Sequence, residues 1–172
     1  MMKSKELALY GLLTALAVAL MVLSGVLGIG TFAGPALAML VLLPVLEEYG
    51  AKAAITVYAA SALLGLLLVL ELELAMVYAA FGWYPVLRPT LNRISVRPVQ
   101  VGVKIVLCTA VILLLYGVLL RAFGMTADLL EATWLFNLLL LILGVFTFLM
   151  VDLVLERMTF LWRNKLRKRF FR

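Results

Sequence analysis

The chain has no histidine and only one cysteine in 172 residues. The missing imidazole removes the commonest proton shuttle and the commonest metal ligand. Cys108 has no partner for an intrachain disulfide and, set in an apolar run, reads as a packing residue. Charge is scarce as well: Asp, Glu, Lys and Arg make up 14% of the chain, against roughly 25% in ordinary soluble domains. No Gly-rich phosphate loop precedes a Lys-Ser or Lys-Thr pair, so any ATP hydrolysis belongs to a partner. Glu47 and Glu48 are adjacent, point about 100° apart on a helix, and make no carboxylate dyad. Without a nucleophile–base pair or a metal cluster, no enzyme, cofactor or metal site is expected.

What the chain has in excess is apolar length. Hydrophobic residues make up 66% of it, and the mean hydropathy is +1.18. That is more than a water-soluble core can hide, so the bilayer is the expected solvent. Helices satisfy their own backbone polar groups in lipid, which predicts an all-α polytopic integral membrane protein. One six-span domain is expected over residues 1–156, with a basic aromatic tail over 157–172. The opening stretch, MMKSKELALYGLLTALAVALMVLSGVLG, imitates a signal peptide. Its apolar run of about 20 residues exceeds the ~7–15 of a signal h-region, so it reads as a retained first span.

Span 1 is expected over about Leu7–Leu27, closed by a turn at Gly28, Gly30 and Thr31. Span 2 follows over about Phe32–Leu46. Pro35 near its start costs little, whereas Pro44 kinks or closes its last turns. Glu47, Glu48, Tyr49, Gly50 and Lys52 make a tight polar connection to span 3, about Ala53–Leu70. Residues 53–84 are too long for one crossing, since about 20 residues suffice. Glu71 and Glu73 supply the break. Span 4 is short, about Leu74–Val86, and ends on Phe81, Trp83 and Tyr84. The connection RPTLNRISVRPVQ carries the helix breakers Pro89 and Pro98 and leads to span 5, about Val101–Leu120. The loop RAFGMTADLLEA then leads to span 6, about Thr133–Leu155.

The distribution of basic residues orients these spans. With six spans and a cytoplasmic N-terminus, the inner segments hold Lys3, Lys5, Lys52, Arg88, Arg93, Arg97 and the tail, while the outer segments hold only Arg121. The outer side also collects Glu71, Glu73, Asp128 and Glu131. Merging spans 3 and 4 would strand three arginines outside. Both termini are therefore expected in the cytoplasm, and the cell membrane is the expected location. The net charge of +6 is explained by this topology, which leaves no case for a nucleic-acid partner. In the tail, Phe160, Trp162, Phe170 and Phe171 interleave with Arg163, Lys165, Arg167, Lys168, Arg169 and Arg172. That pattern suits an interfacial segment on anionic lipid.

Gly11, Ala15 and Ala19 recur every four residues on span 1 and form a small-residue stripe. Such a stripe lets a second helix approach closely, either from the same chain or from a separate membrane subunit. The A-x-x-x-A of Ala15 and Ala19, six short spans in under 200 residues, the connection GIGTFAGP and cytoplasmic termini resemble the substrate-binding S components of energy-coupling-factor (ECF) vitamin transporters. The stretches EYGAKAAITVYAASALLGLL, FGWYPVLRP and VDLVLERM are similar to those of an S-component-like group of bacterial membrane proteins. The resemblance implies that the alanine stripe meets a transmembrane coupling subunit, itself joined to ATPase subunits. It also implies a small-molecule substrate near the outer face, beneath the span 1–2 loop and among spans 4 to 6.

Two constellations follow from the residues themselves. On the outer side, Glu71 and Glu73 begin span 4, Arg121 ends span 5, and Asp128 and Glu131 precede span 6. Trp134 and Asn137 lie just inside span 6, Tyr78 belongs to span 4 and Tyr116 to span 5. An acidic rim with aromatic walls suits a cationic or nitrogen-ring ligand. The plainer reading is hydrated loop carboxylates with Trp134 as an interface anchor. On the inner side, Lys104 and Asp152 lie at equal distances from a turn centred near residue 128, hence at equal depth. Charges that deep are expensive and usually paired, so a Lys104–Asp152 ion pair is expected. Arg88, Glu47, Glu48, Glu156, Arg157 and Tyr84 are candidates to extend it, as a clamp or as a surface for a cytoplasmic partner.

Overall fold

Long apolar runs punctuated by Gly and Pro build helices and no strand among the residues that this computed structural model describes, 4–28, 32–93, 96–122, 134–162 and 164. The helices are α1 (Ser4–Leu27), α2 (Ala33–Leu68), α3 (Leu72–Phe81), α4 (Tyr84–Leu91), α5 (Arg97–Ala122) and α6 (Trp134–Leu161). Among the described residues, three helical stretches, Glu6–Leu27, Ala33–Leu68 and Arg97–Leu115, are long and apolar enough to cross a bilayer. The chain divides into two compact units, one of Met1–Pro89 with Leu155–Arg172 and one of Thr90–Val154.

In the first unit, α2 is not one rod. A straight helix would hold residues 34 and 65 about 46 Å apart, at 1.5 Å per residue. Instead both lie against the last third of α1. A Cβ on Gly34 would come 2.7 Å from the Cβ of Ser24, and one on Gly65 would come 3.0 Å from the Met21 Cε. Met21 and Ser24 are one helical turn apart, so α2 must double back. It does so at Gly50, whose φ of 84° and ψ of −179° are open only to glycine. The two arms, 33–49 and 51–68, are antiparallel. Near the bend, Tyr10 of α1 packs against Leu42 and Val45 of the first arm and Ala53, Ala54 and Val57 of the second. Tyr10 also meets Tyr49 edge-on, with ring centroids 5.5 Å apart. The polar connection expected over Glu47–Lys52 thus contracts to one residue: Glu47, Glu48, Tyr49 and Lys52 stay helical because Gly50 alone absorbs the reversal.

The next break falls where the carboxylates are. Val69 and Glu71 are extended, and α3 starts directly after Glu71. The short span expected over Leu74–Val86 is itself interrupted, since α3 ends at Phe81 and α4 begins at Tyr84. Pro85 has no N–H to continue the ladder. The Gly82 N–H still makes the ordinary helical bond to the Tyr78 carbonyl at 2.7 Å, and the next two carbonyls find side-chain donors: the Trp83 indole reaches Ala80 at 2.6 Å, and the Tyr58 hydroxyl donates to Ala79. Gly82 makes room for this arrangement, because a Cβ there would sit 2.7 Å from the Tyr58 ring.

These contacts give the first unit two distinct ends. The bend end gathers Tyr10, Gly50, Val86 and Arg88, together with Glu156 and Trp162 of the C-terminal segment. The other end gathers Ser24, Gly34, Gly65 and the start of α3, where Leu74 approaches both Gly25 and Gly34. In the second unit, α5 and the 134–154 part of α6 share one seam. Lys104 and Cys108 are buried one turn apart on α5, and Phe148 and Asp152 are buried one turn apart on α6. Lys104 meets Asp152, and a Cβ on Gly144 would touch Ile112 at 3.0 Å. Both pairs mirror about residue 128, so the helices run antiparallel in a single register.

Candidate functional site

The small-residue stripe faces outward. Gly11, Ala15 and Ala19 are all exposed, and, its chain neighbours and the nearby backbone of α1 aside, no described atom lies within 4 Å of where a Gly11 side chain would begin. Helical spacing carries the stripe into Val22 and Val26, and across from it stand Leu64 and Leu68 of the second α2 arm. Together with Ala15 and Ala19 these side chains line an open apolar groove of about 480 Å³. The other side of α1 does the internal work: Tyr10, Thr14, Ala17, Met21 and Ser24 are buried, and Val18, buried at the edge between the two sides, also lines the groove. Packing within the described chain therefore uses a different face of α1 from the stripe. Ser24 Oγ is buried against Gly34 without a hydrogen-bond partner among the described residues.

Of the residues expected at the outer site, Glu71 and Glu73 are exposed, at the N-terminal turn of α3. That is a favourable place for negative charge, because the helix end presents unpaired N–H groups. Tyr78 lies on the same helix but is fully buried. Its hydroxyl meets Ser61 Oγ at 2.8 Å, and Ser61 Oγ also donates within its own helix to the Val57 carbonyl at 2.8 Å. The Tyr58 and Tyr78 rings are 5.8 Å apart. The result is a polar seam of Tyr58, Ser61 and Tyr78 that joins the second α2 arm to α3. Sequence reasoning missed Ser61 and Tyr58; the only signal was a hydroxyl embedded in an apolar run. Tyr116 falls on α5, and Trp134 and Asn137 on the first turn of α6, but their side chains lie outside the described set. Asp128 and Glu131 lie outside the described residues.

The charged pair sits in the second unit. Lys104 Nζ donates to Asp152 Oδ2 at 2.7 Å, with side-chain exposures of 6% and 10%. That distance is a charge-assisted hydrogen bond, and at this burial water does little to screen it. In the first unit, buried Arg88 on α4 places Nη2 3.4 Å from Glu156 Oε2, while the glutamate remains largely exposed. Glu48 accepts from the Trp162 indole at 3.4 Å. Among the described residues no cluster of His, Cys, Asp or Glu could hold a metal ion.

The described residues offer an outward apolar groove, an exposed pair of carboxylates, and buried polar contacts that hold helices in register. No family model matches the chain, and neither a curated protein nor a solved structure matches it.

Proposed function

We propose that the chain is a six-span cell-membrane protein with both termini cytoplasmic, and that it serves as a substrate-binding or substrate-translocating subunit like an ECF S component. In this reading the two α2 arms are separate crossings, α3 and α4 together make a fourth, and α5 and α6 complete the set. Charge supports the orientation. Lys52, Arg88 and Arg157 belong to the bend end of the first unit, whereas Glu71 and Glu73 stand at the start of α3 at the other.

The observation that carries the reading is the outward stripe. Ala15 and Ala19 are exposed in an apolar groove and are not used to pack the described chain. In lipid, helices associate through close backbone approach, and a small-residue face is what a second membrane subunit needs. That subunit would be a transmembrane coupling protein carrying ATPase subunits. The solute would be small and nitrogen-containing or vitamin-like, drawn by Glu71 and Glu73.

A second reading, a non-transporting scaffold or regulatory subunit that uses the same stripe, draws on Tyr78. Its hydroxyl is engaged by Ser61 inside the fold and is not offered to a ligand. One experiment separates the two. Tagged protein is purified from its native membrane, and co-purifying proteins and small molecules are identified by mass spectrometry. ATPase subunits with a bound metabolite support transport; a different complex without a ligand supports the scaffold. Ala15→Leu with Ala19→Leu should abolish co-purification and leave a folded monomer. A monomer that itself unfolds would count against the docking role. Topology is read by cysteine labelling on a Cys108→Ser background: an impermeant external reagent should reach Met125→Cys and spare Asn92→Cys.

A further inference from the structure

The α1 groove and the carboxylate at its end fit one kind of occupant. The groove runs from Ala15 to Val26, about 16 Å at 1.5 Å per residue, and Gly11 lies outside it. The hydrocarbon core of a bilayer is about 30 Å thick, so the groove is one leaflet deep. A helix that crosses the bilayer covers twice that length; an alkyl chain hanging from one surface covers this much. An extended chain advances roughly 1.2 Å per bond, by the measure of an extended backbone, so about 14 carbons fill it. Its lining side chains are all Ala, Val or Leu, and none offers a hydrogen bond.

One end of the groove is different. Val26 and Leu68 stand at the end of the first unit where α3 begins. There a Cβ on Gly25 would come 3.7 Å from the Glu71 carboxyl carbon, so that side chain lies back over α1. Glu71 holds the N-cap position of α3 but makes no cap hydrogen bond there. It turns instead to the last turns of α1, the negative pole of that helix, where no basic residue stands. Among the described residues no ion pair or hydrogen bond reaches the carboxylate. A cation at this point would be held by the carboxylate and the helix end together, and the groove would take the apolar chain that the cation carries.

We infer that the groove binds an amphiphile with one alkyl chain of about 14 carbons and an ammonium head, the head at Glu71 and the chain running toward Ala15. In a bilayer an alkyl chain gains little by leaving other chains for a groove, so charge decides which amphiphile is held. Glu73, also exposed on the first turn of α3, repels a phosphate beside the ammonium, which favours an alkyl amine over a zwitterionic phospholipid. The inference rests on the proposed membrane reading and names a chemical class for the nitrogen-containing ligand proposed there; it requires neither a coupling subunit nor transport. A partner helix on the stripe would meet the amphiphile at Ala15 and Ala19, so the test uses the chain without a partner.

The full chain is placed in phosphatidylcholine nanodiscs with a low mole fraction of tetradecylamine that carries a photoreactive diazirine at the chain end. After illumination, labelled peptides are located by mass spectrometry. Label is expected on residues 15–26 and 64–68, and unlabelled tetradecylamine should displace it. Tetradecanol and tetradecyl sulfate, of the same chain length, should compete roughly fivefold less well, the upper range for one exposed ion pair. Glu71→Gln should erase that difference with the melting temperature unchanged, and Glu71→Lys should reverse it in favour of tetradecyl sulfate. Ala19→Phe, which fills the groove, should move the label off α1. Label outside the groove in the parent chain overturns the inference. So does equal competition by tetradecanol, which would show that the groove takes any chain, and so does a preference for the amine that survives Glu71→Gln. Failure of the transport reading would appear in the native-membrane purification, as the absence of ATPase subunits and metabolite, and would leave this labelling pattern as it is.

Discussion

The two units solve the same problem differently. In lipid the surroundings of a helix are as apolar as its neighbours, so greasy surface alone gives helices little reason to associate. The first unit answers with close approach. Gly34 admits Ser24, Gly65 admits Met21 and Gly82 admits the Tyr58 ring, and an apolar cluster around Tyr10 closes the bend end. The second unit answers with charge. Among its described residues, those buried in the α5/α6 seam are Lys104, Cys108, Phe148 and Asp152, and the lysine and aspartate meet at 2.7 Å. Close packing tolerates small errors at many places, whereas an ion pair concentrates the penalty in two atoms. Substitutions should therefore separate the units by size of effect and by how effects combine.

The largest effect is expected in the second unit. Lys104→Met leaves Asp152 charged in a poor solvent, and Asp152→Leu strands the lysine, each at about 3–5 kcal/mol. Replacing both removes the charges together and should recover much of that loss, which thermal melts in detergent will show as strong non-additivity. Strictly additive losses would mean that the pair does not hold the seam.

Intermediate effects are expected in the first unit. Gly50→Ala forces a side chain onto a φ of 84°, at about 1–3 kcal/mol. Gly34→Leu drives a side chain into Ser24, at about 1–3 kcal/mol. These two should add in the same melts, since they act at opposite ends of the first α2 arm. If they instead compensate each other, the first unit is not held by independent close contacts.

A smaller loss, about 0.6–1.5 kcal/mol, is expected for Tyr78→Phe, which removes one hydroxyl from the Ser61 seam. A variant as stable as the parent, or more so, would show that the seam contributes no stability and would free Tyr78 for another role. The smallest stability effect belongs to Ala15→Leu with Ala19→Leu, within about 0.5 kcal/mol, because both positions are exposed. The same double substitution should have the largest effect on partner recovery, so stability and association come apart on one face of α1.

Much of the local structure was legible in the residues. Apolar runs and backbone satisfaction in lipid lead to helices. Gly50 among Glu47, Glu48 and Lys52 marks a reversal. Glu71 and Glu73 mark the next break, and the mirrored positions of Lys104 and Asp152 lead to a shared depth. Each of these is a local or one-dimensional property: a dihedral only glycine adopts, a charge the hydrocarbon rejects, or a count of residues from a turn.

Other features needed the tertiary structure. Spacing groups Gly11, Ala15 and Ala19 on one face of α1 but does not say what that face meets; the structure turns it outward and packs Tyr10, Met21 and Ser24 inward. Spacing likewise puts Tyr78 on the same helix as Glu73, yet only the second α2 arm, by bringing Ser61 to 2.8 Å, buries its hydroxyl. The interruption at Gly82 and Trp83 persists because donors from Tyr58 and Trp83 satisfy the carbonyls it frees. The physical reason is common to all three. In water, hydropathy distinguishes inside from outside along a helix; in a bilayer both sides are apolar, and the distinction passes to which backbones can approach and which polar atoms can meet.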